Sequence, residues 1–170
     1  ITRLGDDPFS DKIYEFIAAQ NVGVSGIARD VGKSPGLYAI TTREDGERSF
    51  TYWRDSAAAR VMFGALDFEG LNAYDALYLS GITLAILPEA VRAGLMDFLR
   101  PSYAKVIYDS NHRPRLWESQ SVAQQINTAM WEIADIALPS IDDEMAIFEE
   151  DAAAVEARFG AMASQGGLKR

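Results

Sequence analysis

From Tyr74 onward, short apolar runs alternate with longer amphipathic segments, and this order constrains the fold more than any other feature of the sequence. The short runs have the length and composition of buried strands, and the longer segments repeat their apolar residues at helical spacing. The predicted strands are 76–81, 105–109 and 135–138, and the predicted helices are 88–99, 117–131, 141–149 and 152–159. Strands that alternate with helices in this way predict an α/β fold with a mainly parallel sheet flanked by helices.

The N-terminal part of the sequence contains a different signal. Two runs rich in β-branched and aromatic residues, 37–42 and 48–54, flank Glu44-Asp45-Gly46, which predicts a β-hairpin. A hairpin does not belong to a parallel sheet, so we predict that residues 36–54 form an appended flap. The other elements predicted there are a helix from Pro8, a strand at 22–28 and a helix at 56–63.

The turn of this hairpin decides which aromatic side chains share a face. Alternation places Tyr52 and Arg54 on one face of the second strand. A two-residue turn would pair Tyr38 with Trp53, whereas a three-residue loop ending in a left-handed Gly46 would pair Tyr38 with Tyr52. The second register would give a Tyr–Tyr–Arg surface that can bind a ligand. An ordinary amphipathic hairpin and a dimer contact are equally good interpretations.

Polar side chains follow the second predicted strand of the sheet in the sequence DSNHRPRLW, residues 109–117. Ligands bind at the carboxyl ends of strands in open α/β sheets, so this loop predicts a binding site. Asn111 can donate and accept hydrogen bonds, and Arg113 can bind a carboxylate or phosphate with two parallel bonds. His112 is the only histidine of the chain, and we interpret it as a polar surface residue because no acid–base partner is evident.

An acidic run, Asp142-Asp143-Glu144, follows the third predicted strand. Acidic side chains in the first turn of a helix suit the helix dipole, so the run has an ordinary structural explanation. A carboxylate at this edge of the sheet can also help to hold Mg²⁺ through water, and Asp143 is the candidate for that role.

Charge and composition exclude several classes of partner. The chain has 170 residues and a net charge of −9, and a field of this sign repels nucleic acid and anionic membranes. An anionic small molecule would therefore need clustered arginines in order to bind. The sequence has no cysteine and no apolar run near the ~20 residues of a membrane helix, which fits a cytoplasmic protein.

Both ends of the sequence suggest an incomplete domain. The chain begins at Ile1 without a methionine and closes at Gly167-Leu168-Lys169-Arg170, which has the character of the start of another strand. We therefore expect a domain that is incomplete at both ends. A short domain with frayed termini is the alternative.

Five stretches of the sequence resemble the ribokinase-like (PfkB) sugar kinases in their order and spacing. They are Gly36-Leu37-Tyr38, Thr51-Tyr52-Trp53-Arg54, Leu79-Ser80-Gly81-Ile82-Thr83, residues 109–117 and Pro139-Ser140-Ile141-Asp142-Asp143-Glu144. The pattern DxNxRxxLW with an upstream YxR hairpin resembles the members that phosphorylate 2-keto-3-deoxygluconate. The resemblance implies a Rossmann-like sheet with a small β lid at 36–54. It also implies that residues 1–170 are the central part of one sugar-kinase domain and that the protein forms a homo-oligomer through the lid.

The same resemblance implies transfer of the γ-phosphoryl group of ATP to the 6-hydroxyl of the sugar acid, with Mg²⁺ as cofactor. The family's substrate-binding positions match Tyr38, Tyr52, Trp53, Arg54 and Arg113, and its nucleotide-binding positions match Asn111, His112 and Arg113. Histidine at 112 replaces the usual tyrosine. The family's magnesium motif falls on Ser140 and Asp143, and both depart from it in residue type.

The catalytic base of these kinases lies in a Gly-Ala-Gly-Asp element that the sequence lacks. Phosphoryl transfer needs a base near the accepting hydroxyl, so we assign no catalytic residue and expect these 170 residues alone to be inactive. Three other functions stay open. They are a PfkB-type kinase for fructose or a nucleoside, a non-catalytic module that binds a sugar acid or nucleotide, and a structural oligomerisation domain.

Overall fold

A computed structural model describes residues 1–164 of the chain. They belong to two units, one at Ile1–Gly64 and a second that begins at Ala65. Residues 167–170, for which the sequence predicts the start of a strand, lie outside the described part. Within residues 1–164, no helix is both long enough and apolar enough to cross a membrane.

The first unit contains two pairs of strands and one α-helix. In chain order they are strand β1 (Thr2–Leu4), helix α1 (Pro8–Ala19) and strands β2 (Ile27–Arg29), β3 (Leu37–Thr42) and β4 (Arg48–Trp53). Strands β1 and β2 are parallel neighbours, and β3 and β4 form an antiparallel hairpin. Helix α1 begins where the sequence predicts because the Asp7 carboxylate accepts hydrogen bonds from the backbone N–H groups of Phe9 and Ser10, at 2.9 and 3.2 Å.

Two elements of the first unit differ from the sequence prediction. The strand expected at 22–28 forms only at its C-terminal end, as β2, because a hydrogen-bonded turn occupies the residues before it. The helix expected at 56–63 is a short 3-10 helix, Ala58–Val61. It starts late because Ala57 stays extended and forms a β-bridge with Ser34.

The hairpin turns through a three-residue loop, Glu44-Asp45-Gly46, because Arg43 and Glu47 continue the pairing beyond the ends of β3 and β4. The backbone N–H of Arg43 donates to the carbonyl of Glu47 at 2.8 Å, and Gly46 has a φ of +83°. Glycine adopts this left-handed conformation without the steric strain that a side chain would add. The loop pairs Tyr38 with Tyr52, so the structure selects the three-residue alternative.

The second unit alternates strands and helices, as the sequence predicts. In chain order they are β5 (Ala76–Ser80), α2 (Gly81–Ile86), α3 (Glu89–Leu99), β6 (Lys105–Asp109), α4 (Gln120–Ile133), β7 (Ile136–Leu138), α5 (Ile141–Phe148) and α6 (Ala152–Ser164). The three strands form one parallel sheet in the order β5-β6-β7. The prediction of an α/β chain with a parallel sheet flanked by helices is confirmed.

Tyr108 connects the central strand β6 to helix α4. It is fully buried, and its ring meets the Trp131 ring edge-on at 4.7 Å between centroids. Its hydroxyl donates to the amide oxygen of Asn127 at 2.7 Å, which satisfies a polar group that burial would otherwise leave unpaired. These contacts fix the C-terminal end of β6, from which the predicted binding loop departs.

Helix α4 starts later than predicted, at Gln120 instead of Trp117. Trp117 is buried, and the Arg92 guanidinium lies 5.7 Å from its ring centroid. The same guanidinium pairs with Glu118 at 3.0 Å, so residues 117 and 118 are held outside the helix. Ser119 then caps the first turn with its hydroxyl oxygen.

Candidate functional site

Three aromatic rings and one guanidinium group share one face of the hairpin, and we call them the lid surface: Tyr38, Phe50, Tyr52 and Arg54. The centroids of the Tyr38 and Tyr52 rings are 6.1 Å apart, and Phe50 stacks on Tyr52 at 6.1 Å. The Arg54 guanidinium lies over the Tyr52 ring at 4.3 Å from its centroid, a cation–π distance. The structure therefore brings together three of the substrate-binding residues predicted from the sequence.

Arg54 is the positively charged member of this surface. No carboxylate among residues 1–164 forms an ion pair with it. Its position depends on Gly36, since a Cβ atom at Gly36 would lie only 3.1 Å from the Arg54 Cβ. The sequence interpretation did not single out Gly36 by itself, although this residue lies in a motif that carries the resemblance.

Trp53 lies on the opposite face of the hairpin, where it pairs with Leu37. Both side chains are exposed. The structure does not bring Trp53 together with Tyr38 and Tyr52, because neighbouring residues on a strand point to opposite faces. That alternation is visible in the sequence, and only the family resemblance had placed Trp53 in the site.

The loop after β6 begins with a tight turn. The Asp109 carboxylate accepts the backbone N–H of Asn111 at 3.0 Å, and Asn111 itself has a positive φ of 29°. Asparagine tolerates this backbone region better than most residues. The second carboxylate oxygen of Asp109 accepts the hydroxyl of Tyr78 at 2.9 Å. The turn therefore places Asn111 directly at the carboxyl end of the central strand.

His112 is buried, with only 4% of its surface exposed, and this corrects the expectation of a polar surface residue. Neither ring nitrogen has a hydrogen-bond partner among the described residues. Burial lowers the pKa of His112, the nearby Asp143 carboxylate opposes that shift, and Arg113 adds to it. The imidazole is therefore held neutral inside the loop, a result that depends on tertiary packing and has no signal in the local sequence.

Arg113 lies beside Asp143, and both are predicted site residues. The Arg113 Nη1 atom is 3.9 Å from Asp143 Oδ1, and it donates to the backbone carbonyl of His112 at 2.6 Å. The Arg113 side chain is still about half exposed, at 52%. The loop therefore presents a guanidinium group that is oriented by its neighbours and accessible to an anion.

Gly81 determines how closely helix α2 approaches this loop. A Cβ atom at Gly81 would overlap the carbonyl oxygen of Ser110, so only glycine fits there without a backbone shift. The structure shows that glycine at this position allows the loop after β6 to approach.

The candidate magnesium site contains one carboxylate. Within residues 1–164, no group of three or more acidic or histidine side chains is arranged to hold a metal ion. Mg²⁺ commonly keeps several waters and uses one or two carboxylates together with substrate phosphates. The half-buried Asp143 fits an indirect contact of that kind, in which water lies between the carboxylate and the ion.

Comparison with known sequences identifies the family. The profile of the pfkB family carbohydrate kinases matches residues 1–167. The chain belongs to the pfkB family of carbohydrate kinases. Membership agrees with a parallel sheet flanked by helices and with the presence of an antiparallel hairpin.

This PfkB chain is similar to sugar kinases of more than one specificity. The 2-dehydro-3-deoxygluconokinase of Escherichia coli (strain K12) is 43% identical over 155 residues, which cover 87% of this chain and 50% of that protein. Probable fructokinase-4 of Arabidopsis thaliana is 27% identical over 150 residues, which cover 87% of this chain and 45% of that protein. The chain spans about half the length of the curated relatives that it matches.

Solved structures show the same fold. The crystal structure of fructokinase with bound ATP from Xylella fastidiosa superimposes with a TM-score of 0.75 at 22% identity, covering 99% of this PfkB chain and 54% of that one. A likeness at this level of identity concerns the fold alone. It confirms the predicted ribokinase-like architecture.

Proposed function

We propose that the full-length protein is a 2-dehydro-3-deoxygluconokinase, which transfers the γ-phosphoryl group of ATP to the 6-hydroxyl of 2-keto-3-deoxygluconate. The relative of that name from E. coli is considerably more similar to this chain than the fructokinase is, at 43% against 27% identity. The observation that carries the proposal is the accessible guanidinium group on the lid surface. A sugar acid has a carboxylate to pair with it, whereas fructose does not.

The lid surface is suited to such a substrate. Its two tyrosine hydroxyls can donate to or accept from sugar hydroxyls, and Arg54 can bind the carboxylate through charge-assisted hydrogen bonds. Arg54 has no competing acidic partner in the described part of the chain. We therefore assign direct substrate contacts to Tyr38, Tyr52 and Arg54. We leave out Trp53 because it lies on the other face.

The loop after β6 is proposed to bind the nucleotide. Asn111 and Arg113 supply hydrogen-bond donors at the carboxyl end of a parallel strand, where ligands of open α/β sheets bind. We assign Arg113 to the sugar acid as well. His112 is neutral and buried, so its contribution to nucleotide binding comes from filling the interior of the loop. ATP bound to a fructokinase of the same fold supports this assignment.

Mg²⁺ would enter with the nucleotide and offset the charge of its phosphates. Asp143 is the residue that would help to hold it, through water, and it is also the anionic neighbour of Arg113. We assign no catalytic base to this chain. Residues 1–170 by themselves are accordingly proposed to bind ligands without catalysing phosphoryl transfer.

We also propose a cytoplasmic protein that forms homo-oligomers through the lid. The reverse face of the hairpin exposes Leu37 and Trp53, which gives it apolar area that a second copy can cover. Trp53→Ser should then shift the full-length protein toward the monomer in light-scattering measurements, whereas the hairpin variant Arg48→Met should not. Equal masses for wild type and Trp53→Ser would contradict this interface.

A substrate panel tests the proposed activity. The full-length protein is assayed for ADP release with 2-keto-3-deoxygluconate, fructose and a nucleoside at equal concentrations. We expect kcat/KM for the sugar acid to exceed the others by at least about 100-fold, because only this substrate pairs with Arg54. Preference for fructose would identify a fructokinase, and ligand binding without turnover would identify a non-catalytic module.

A further inference from the structure

Glu144 on helix α5 is completely buried, with 0% of its surface exposed. Acidic side chains are almost never fully buried unless they are paired, because removing a charge from water is costly. Burial accordingly raises the pKa of Glu144. Its neighbours on the same turn, Asp142 and Asp143, keep contact with solvent, so the helix dipole alone does not explain an acid at this position.

One oxygen of Glu144 is paired with helix α6. The Arg158 Nη1 atom lies 3.1 Å from Glu144 Oε2. The same guanidinium pairs with Glu150 at 3.1 Å and lies 4.2 Å from the centroid of the Phe148 ring. Arg158 therefore offsets the buried charge and is itself held in place by two further groups.

The Ser110 hydroxyl group, at the start of the loop after β6, is a buried neighbour of the Glu144 carboxyl group. The Ser110 hydroxyl and the Trp131 indole N–H interact with the carboxyl group closely enough to lower its pKa, although neither reaches full hydrogen-bond geometry. Three atoms are buried without a hydrogen-bond partner within residues 1–164: Glu144 Oε1, Ser110 Oγ and Trp131 Nε1. Glu144 is thus the buried polar group of α5 that lies near Ser110.

This buried contact lies next to the exposed ion pair of the loop. Ser110 immediately precedes Asn111 and is separated by two residues from Arg113, and Asp143 immediately precedes Glu144. The Arg113 guanidinium in turn reaches Asp143. The loop therefore lies near α5 at Ser110 and pairs with it at Arg113, and Gly81 is in close contact with it on the side of α2.

We infer that Glu144 is a positioning residue that fixes the nucleotide-binding loop, residues 110–113, against helix α5 without touching a substrate itself. The inference rests on the proposed nucleotide-binding role of Asn111 and Arg113. Glu144 and Arg158 set the position of the loop backbone, and the side chains of Asn111 and Arg113 then meet phosphate with little reorganisation.

A purely structural role makes a different prediction. Replacing a buried ion pair by apolar side chains of similar size is often neutral for stability or increases it. If Glu144 and Arg158 only stabilise the fold, the double variant Glu144→Leu/Arg158→Leu should keep both its stability and its affinity for ATP. If they position the loop, the double variant should keep its stability but bind ATP more weakly than wild type.

The experiment uses the full-length protein and four forms of it. They are wild type, the double variant, Glu144→Gln and the control Glu150→Gln, which removes the other ion pair of Arg158 without affecting Ser110. ATP affinity is measured directly by calorimetric titration without the sugar, and KM for ATP and for the sugar acid is measured by steady-state kinetics. The titration reports on the loop even if 2-keto-3-deoxygluconate is not the substrate, so the two proposals fail independently.

We expect the double variant to bind ATP about tenfold more weakly, with KM for the sugar acid changed by at most about threefold. Glu144→Gln should lie between it and wild type, because glutamine keeps a polar group beside Ser110 but carries no charge. Glu150→Gln should match wild type. ATP affinity that is unchanged in both Glu144 variants, or that falls equally in Glu150→Gln, would overturn the inference. If the double variant does not fold, Glu144→Gln is judged by the same criteria.

Discussion

The guanidinium group of Arg54 lies 4.3 Å from the centroid of the Tyr52 ring, and no carboxylate in the described part of the chain pairs with it. An arginine that is oriented by a ring and left without a counter-ion is prepared to bind an anion. Four predictions follow from this site and from the loop after β6.

Arg54→Met should raise KM for the sugar acid about 30-fold, which corresponds to roughly 2 kcal/mol for hydrogen bonds to a charged group. KM for ATP should be unchanged, because the change is confined to the lid surface. The control is Arg48→Met, which removes an exposed arginine from strand β4 without disturbing the contact between Arg54 and Tyr52. Both KM values are measured by steady-state kinetics of the full-length protein. An unchanged KM for the sugar acid would show that the lid surface is not the sugar-acid site.

Gly36→Val should also raise KM for the sugar acid, because the added side chain would displace Arg54. A side chain at position 36 would press on the Arg54 Cβ, which is only 3.1 Å from the position of the added atom. We expect KM for the sugar acid to rise by about tenfold, since a displacement of about 1 Å at a positioning residue has effects of that order or greater. Ala39→Val, on the following strand β3, adds two methyl groups away from Arg54 and should leave KM near the wild-type value.

Gly81→Ala should destabilise the protein by roughly 1–3 kcal/mol, because the added methyl group overlaps the Ser110 carbonyl and forces a backbone shift. ATP affinity should fall as well, since the shift moves the loop that carries Asn111. Urea denaturation and ATP titration of the full-length protein measure the two effects. Gly70→Ala is the matched control, because nothing lies within 4 Å of its added Cβ. Equal stability of both variants would contradict the close approach.

His112 should make the protein less stable in mild acid. Its pKa is lowered in the folded state by burial, while in the unfolded chain it has the ordinary value of about 6.5. Below pH ~6.5 the unfolded state binds the proton more readily, so stability is present above this value and falls as the pH decreases toward the folded-state pKa. The buried Glu144, whose pKa is raised, has the opposite trend in acid.

Comparison of wild type with His112→Phe isolates the histidine, because Glu144 is present in both. The wild-type urea midpoint should fall more steeply than that of His112→Phe between pH 6.5 and 5. Parallel curves would mean that the imidazole is solvated in the folded protein.

The sequence predicted the elements of the second unit well because their apolar periodicity and their order are local properties. Strands β5, β6 and β7 lie within a residue of the predicted runs. The start of α4 was placed too early because a long-range contact, Arg92 with Trp117 and Glu118, competes with helix formation. No pattern of neighbouring residues encodes that contact.

The site was predicted less completely than the fold. The sequence allowed two registers for the hairpin. The loop with a left-handed Gly46 gives the register that pairs Tyr38 with Tyr52. The burial of His112 and Glu144 could not be predicted, since each depends on helices that are distant in sequence. An acidic run in the first turn of a helix and a lone histidine in a loop are both typical of exposed surfaces.

Every residue of β3 and β4 is exposed to solvent. A two-stranded hairpin with both faces in water is only marginally stable, so part of its order must come from whatever covers it. A sugar acid that binds the lid surface would meet an ensemble of hairpin conformations and select the paired one, and its apparent affinity would be reduced by the fraction of time that the hairpin is unpaired. Substitutions at the turn, far from any ligand atom, would then tune substrate affinity as effectively as changes to the side chains that touch the sugar.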